Sequence, residues 1–215
     1  MRDWRTEGLE NINIFSPFDV AGDFEIPTIQ PVRELPDLDW IGFNYARTTK
    51  NINGKAVHFF LDDYQFAGVW KQPQRYIDML SKCAVVTSPD FSTYTDMPKA
   101  LQIYSHYRKH WCAQYWQTMG IEVIPTISWS TPDSWEWCFD GEPTGSIVAI
   151  STVGVQKNKA ANDLFVSGYQ EMCDRLKPTT IICYGKVLDF MHEQNITITE
   201  VKPFTSRFAE IRKEQ

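Results

Sequence analysis

The chain has 215 residues, 43% of them hydrophobic and 14% aromatic, with a formal net charge of -6. That composition excludes a disordered chain, and no apolar run approaches the roughly 20 residues a membrane span needs. The acidic balance argues against extended nucleic-acid binding, which draws on clustered Lys and Arg.

Length favours one domain, at about 100 to 200 residues per domain. The amino terminus, Met1-Arg2-Asp3-Trp4-Arg5-Thr6-Glu7, is charged and lacks a following apolar stretch, so a cytoplasmic protein is expected. Cys83, Cys112, Cys138, Cys173 and Cys183 are scattered and odd in number, which suits neither a disulfide framework nor a thiolate zinc site. Reduced, mostly buried thiols follow.

Pro17, Pro27, Pro31 and Pro36 all precede Leu38. Proline removes a ladder donor and biases its predecessor toward extended backbone, so residues 1–38 are expected to form an extended entry segment packed on a single α/β domain of residues 39–215. Apolar, β-branched or aromatic runs then recur at Trp40 to Tyr45, Val57 to Leu61, Ala84 to Ser88, Ile121 to Ser128, Ser146 to Val153 and Thr179 to Tyr184, with a further strand at Thr197 to Val201. Helical patterns lie between them at Gln74 to Lys82, from Pro98 to about Met119 before Gly120, and from Asn158 to Leu176 before Pro178.

Continuous apolar strands alternating with helices indicate a parallel sheet covered on both faces. Polar residues end nearly every strand. A doubly wound open sheet concentrates such residues at its switch point, so a small or incomplete (β/α) TIM-like barrel is the expected fold and an open parallel sheet the alternative. A full barrel usually runs to about 250 residues, which favours an incomplete one.

Both architectures place chemistry at the carboxyl ends of strands. Asp62 and Asp63 close one strand, and alternation turns one of them into the rim. Meeting Asp90 or Asp96 there, it would form an acid–base pair or a divalent-metal site, the chemistry of hydrolysis or glycosyl transfer. Capping of the following helices is the competing role for Asp62, Asp90 and Asp96.

Ser128-Trp129-Ser130 opens a tryptophan-rich loop with Trp135 and Trp137, which either offers a stacking platform or packs into the core. Glu136 and Asp140, four apart, are further carboxylate candidates. His106 and His110 share that spacing, but the glutamate of a zinc-protease motif is missing and the interleaved Arg108 and Lys109 suggest a basic helix face, so a structural or surface role is expected. Ser151 to Lys159 and Tyr184-Gly185-Lys186 resemble phosphate cradles, with Lys157 and Lys186 supplying charge. Asn44, Ser88, Ser128, Trp129 and Tyr184 complete the expected substrate-binding set.

The runs Asp62-Asp63-Tyr64, Ser88-Pro89-Asp90-Phe91-Ser92, Tyr94-Thr95-Asp96-Met97-Pro98-Lys99-Ala100, Tyr107-Arg108-Lys109-His110-Trp111 and Ile124-Pro125-Thr126-Ile127-Ser128-Trp129-Ser130 resemble the family catalogued as domain of unknown function 4417. The resemblance covers roughly residues 10–190. It implies a protein of bacteria, phages or other mobile elements, with the host cytoplasm as its place if phage-encoded, and it carries over no catalytic residue. The residues themselves point to an enzyme using rim carboxylates on a phosphate-bearing nucleotide, sugar phosphate or nucleic-acid end. A noncatalytic protein that sequesters a ligand or engages a host protein, and an interaction module built on the tryptophan-rich loop, are the alternatives.

Overall fold

The computed structural model describes residues 12–14 and 17–203. A 3₁₀ turn at Ile12–Ile14 is followed by a short antiparallel pair, β1 (Val20–Ala21) and β2 (Ile26–Pro27). Ile26, Ile29 and Val32 are buried, which anchors the proline-rich segment on the body of the protein.

Every remaining strand is parallel to its neighbour. β3 (Trp40–Gly42), β4 (Ala56–His58), β5 (Val85–Thr87) and β6 (Val123–Ile124) pair in that order, and β7 (Ile147–Ser151), β8 (Thr180–Tyr184) and β9 (Thr197–Val201) form a second array. A single parallel bridge, Thr126 to Ala149, joins the two. The strand order follows the sequence and never reverses, so the switch point of a doubly wound sheet is not formed. Among the described residues no ladder joins β9 back to β3, and the sheet is open there.

Alternation along the strands explains why they read as continuous apolar runs. Ala56, Val85, Ile124, Ile147, Ala149, Ile182, Tyr184 and Val201 share one buried cluster with Trp40. Their neighbours Val57, Val86 and Val123 face a helix-covered cluster, and Val148, Ile150, Ile181 and Cys183 face another. From β3 to β8 both faces are therefore largely dry, as in parallel sheets generally, whereas β9 exposes Thr197, Thr199 and Glu200.

The helices are α1 (Phe43–Ala46), α2 (Asp63–Phe66), α3 (Gly68–Lys71), α4 (Ile77–Leu80), α5 (Lys99–Thr118) and α6 (Lys159–Leu176). Pro98 occupies the N-cap of α5, where a missing N–H costs nothing, and Gly120 follows its end with φ of 77°. Asn158 caps α6 by accepting from Ala161 N at 2.8 Å.

Two expectations are corrected. Phe43 to Tyr45 continue as helix rather than strand, because Phe43 and Ala46, one turn apart, both pack into the helix-side core. Residues 74–82 form a 3₁₀ turn followed by α4 rather than one helix, with Pro73 at the start of the turn.

Candidate active site

The carboxyl ends of β4 to β8 surround one open cleft of about 560 Å³, whose lining includes Phe60, Asp62, Asp90, Ser128, Trp129, Ser151 and Tyr184. A chamber of about 130 Å³ deepens it beneath Trp129, and a lobe of about 640 Å³ extends from Trp129 to the start of α6. Asp90 lines both the cleft and the chamber.

The position of Asp90 is fixed from both sides. Before it, Ser88 is wholly buried and clamps β5 to the end of β6: Thr126 N donates to Ser88 Oγ at 2.8 Å, and Thr126 Oγ1 donates to the Ser88 carbonyl at 2.8 Å. After it, Phe91 is buried under the Arg108 guanidinium, 4.0 Å from the ring centroid, and beside Phe66. Ser92 then donates to Asp63, from its hydroxyl at 2.7 Å and its backbone N at 3.2 Å. Asp90 itself makes no hydrogen bond or ion pair among the described residues. Burial pushes its carboxyl up to about 7; the negative charge of Asp63 adds to this, and the Lys109 ammonium opposes it.

The other predicted residues divide. Asp62 is exposed at the cleft mouth, while Asp63 holds the Ser92 loop, so alternation sends one carboxylate to the rim and spends the other on structure. Capping is not the role of Asp62, Asp90 or Asp96: α2 receives no side-chain cap, and α5 begins at Pro98 without one. Asp96 is exposed in the large lobe.

Ser128, Trp129 and Tyr184 line the cleft. Ser88 is consumed by its clamp. Asn44 lies on α1 beside Gly42, outside the cleft lining, with its side-chain oxygen buried and without a hydrogen bond among the described residues. Lys157 and Lys186 are exposed and line neither the cleft nor its extensions. The Lys186 carbonyl accepts from Thr152 Oγ1, which ties the two late loops together.

Of the clustered indoles, Trp129 alone reaches the cleft. Its Nε1 donates to the Leu164 carbonyl at 3.2 Å, and its ring lies so close over Gly168 that a Cβ there would sit 2.1 Å from Nε1. Trp137 is buried in the helix-side core with Trp135 packed against it. Glu136 is exposed, facing Lys99 at 3.7 Å, and Asp140 lines none of the three cavities.

Beneath the rim lies a charged network that the sequence reading did not assemble. Lys109 Nζ donates to Glu142 Oε1 at 2.6 Å and to the Thr126 carbonyl at 2.7 Å. His110 Nε2 lies 2.9 Å from the same Glu142 oxygen, and its Nδ1 donates to the Pro27 carbonyl at 2.7 Å. His106 Nε2 pairs with the Asp140 carbonyl at 3.0 Å; burial, then His110 and Lys109, hold it well below the usual histidine range. Against its own burial, Lys109 and then His110 hold the Glu142 carboxyl below its ordinary value.

His106, His110 and Glu142 bring one potential ligand atom each within 4.8 Å of one another. The Lys109 ammonium lies on the same Glu142 oxygen as His110, so the arrangement forms a buried ion-pair network, and Glu142 Oε2 has no hydrogen-bond partner among the described residues. All five cysteines are free, and burial pushes their thiols up, which removes a thiolate nucleophile from consideration.

A family model described as "Domain of unknown function (DUF4417)" matches residues 18–202. The chain belongs to the DUF4417 family. Its relatives include the "Gene 1 protein" of Mycobacterium phage L5, 38% identical over 214 residues, covering 98% of this chain and 92% of that protein. The "Gene 1 protein" of Mycobacterium phage D29 is 37% identical over 215 residues, covering 98% of this chain and 78% of its own length. No solved structure matches this DUF4417 protein. The matched span contains Asp90, Trp129 and the Lys109–Glu142–His110 network, and among its described residues no helix is long and apolar enough to cross a membrane.

Proposed function

We propose that this protein is an enzyme in which Asp90 performs acid–base chemistry on a small, phosphate-bearing molecule bound across the carboxyl ends of the strands. The observation that carries the reading is the Asp90 carboxyl: without a hydrogen-bond or ion-pair partner among the described residues, placed where chamber and cleft meet, and raised to about 7. A group titrating near working pH is the efficient donor and acceptor of protons in a transition state, and carboxyls are shifted this far most often where chemistry needs it.

The neighbouring groups have separate tasks in this reading. Trp129 and Tyr184 supply ligand surface, and Ser128 a hydroxyl. Asp63 and Ser88 hold the loop that carries the acid. The phosphate is assigned to the outer lobe at the start of α6, where Asn158, Ala160 and Ala161 line it; the Asn158 side chain takes the Ala161 amide, so the attraction is that of the helix dipole, set against the Asp96 charge in the same lobe. Lys157 and Lys186, which are exposed and line none of the three cavities, are left to screen the approach. The same reading takes the strands as an incomplete (β/α) barrel. It is supported by their sequential parallel order and by a shared interior cluster fed from β3 through β9.

Incubation of the protein with nucleotide and sugar-phosphate pools, followed by mass spectrometry of bound and free material, tests the proposal. Product formation that falls about 10²- to 10⁴-fold in Asp90→Asn, with the variant folded, supports acid–base catalysis. Turnover undiminished by that substitution overturns it, and a ligand retained unchanged assigns the site to a binding protein.

A further inference from the structure

The chamber beside Asp90 specifies its occupant more narrowly than the open cleft does. Its volume of about 130 Å³ is close to the ~150 Å³ apolar cavity that houses one benzene, and it opens into the cleft, so it accepts one six-membered ring, that of a pyrimidine or the six-membered ring of a purine whose second ring extends outward, and not a sugar with its phosphate.

Its walls agree with that size. Trp129 and Phe165 meet at 39° with ring centroids 5.3 Å apart, and Ile127 and Ile150 complete the apolar lining. The polar groups are few and lie together: the Asp90 carboxyl with Ser128 and Ser151. Ser151 Oγ already accepts from Val153 N at 3.2 Å, which leaves its hydrogen free to donate. No lysine or arginine lines the chamber, so a phosphate there would meet only the Asp90 charge. A sugar ring would bury hydroxyls against isoleucine and aromatic carbon, at a cost for each one left unpaired. A flat heterocycle avoids both penalties. Its face lies on aromatic carbon and its N–H edge meets a carboxylate, the pairing by which acidic side chains read bases.

We propose that the chamber is a nucleobase pocket, with the edge of the base hydrogen-bonded to Asp90 and its face against Trp129. This deepens the functional reading above and rests on its choice of site: the substrate becomes a nucleotide or nucleoside, whose sugar and phosphate extend into the lobe toward α6.

Calorimetric titration of the full chain with free cytosine, uracil, adenine and guanine, and separately with ribose 5-phosphate, tests it. At least one base binds, and Asp90→Ala weakens that binding about tenfold or more, equivalent to ~1.4 kcal/mol. Ser128→Leu, which fills the chamber without removing the carboxylate, weakens it as well, and melting curves show both variants folded. The inference is overturned if no base binds up to millimolar concentration, or if base binding is indifferent to both variants. Ribose 5-phosphate binding without base binding overturns the base pocket while leaving acid–base chemistry at Asp90 standing. Base binding with no turnover of any nucleotide supports the pocket and overturns the enzyme reading.

Discussion

Glu142→Gln is the substitution through which the buried network is best tested. The side chain of Glu142 is 0% exposed, and one of its oxygens serves both Lys109, 2% exposed, and His110, 0% exposed. The glutamine keeps shape and volume but removes the negative charge, leaving an ammonium in a dry site with only neutral acceptors, the glutamine oxygen and the Thr126 carbonyl, to receive it. Breaking one side of such a buried pair costs about 3–5 kcal/mol, because the remaining charge is uncompensated. At roughly 2–4 °C per kcal/mol for a domain of this size, the melting temperature should fall by about 6–20 °C. Differential scanning calorimetry at neutral pH measures it directly. The effect has a pH signature, because Glu142 is held below its ordinary value of 4.5. A carboxylate lowered in the folded state contributes stability that is complete above its unfolded pKa and lost as pH falls through the folded one. The gap between wild type and variant should therefore be full above about pH 5 and narrow toward acid. A melting temperature within about 2 °C of wild type at neutral pH would refute the argument that Glu142 balances buried cations.

Asp63→Ala removes a carboxylate that receives both the hydroxyl and the backbone N–H of Ser92; urea unfolding should show a loss of about 1.5–3 kcal/mol, and the Asp90 pKa should fall with the neighbouring charge gone. Gly168→Ala sets a propensity gain of about 1 kcal/mol against an overlap with the rigid indole of Trp129, a clash costing about 1–3 kcal/mol, so a variant more stable than wild type in urea would contradict the packing described. Asp90→Asn should be more stable than wild type above pH 7 by on the order of 1–3 kcal/mol. A carboxyl raised in the folded state stabilises fully below its unfolded pKa and loses that contribution as pH rises from 3.8 toward about 7. Melting curves from pH 4 to pH 8 should show the two proteins diverging as pH rises.

The strands from Trp40 onward were legible because burial on both faces makes their runs almost continuously apolar, and α5 because Pro98 and Gly120 mark its ends. Phe43 misled for a physical reason: an aromatic residue after an apolar strand fits either another strand position or the first turn of a helix, and only packing against Phe59 and Tyr76 decides. Asp90 was visible as the polar end of a short apolar run. Which neighbouring aspartate would share the rim was not, because alternation states that Asp62 and Asp63 diverge without saying which one Ser92 will hold. The role of Glu142 lay beyond local reading. Its partners Lys109 and His110 precede it by 33 and 32 residues, and nothing in the loop around it marks a buried carboxylate. Gly168 carried a signal, since a glycine inside a long helical pattern implies a close approach, though the sequence does not name Trp129 as the visitor.

The account turns on whether Asp90 is an acid that can both give and take a proton near neutrality. Carbon-13 NMR titration of the aspartate side-chain carboxyls, with the Asp90 resonance assigned by its loss in Asp90→Asn, measures this without knowledge of the substrate. A midpoint near 7 is predicted; a midpoint below about 5, in the ordinary carboxylate range, would contradict the central claim.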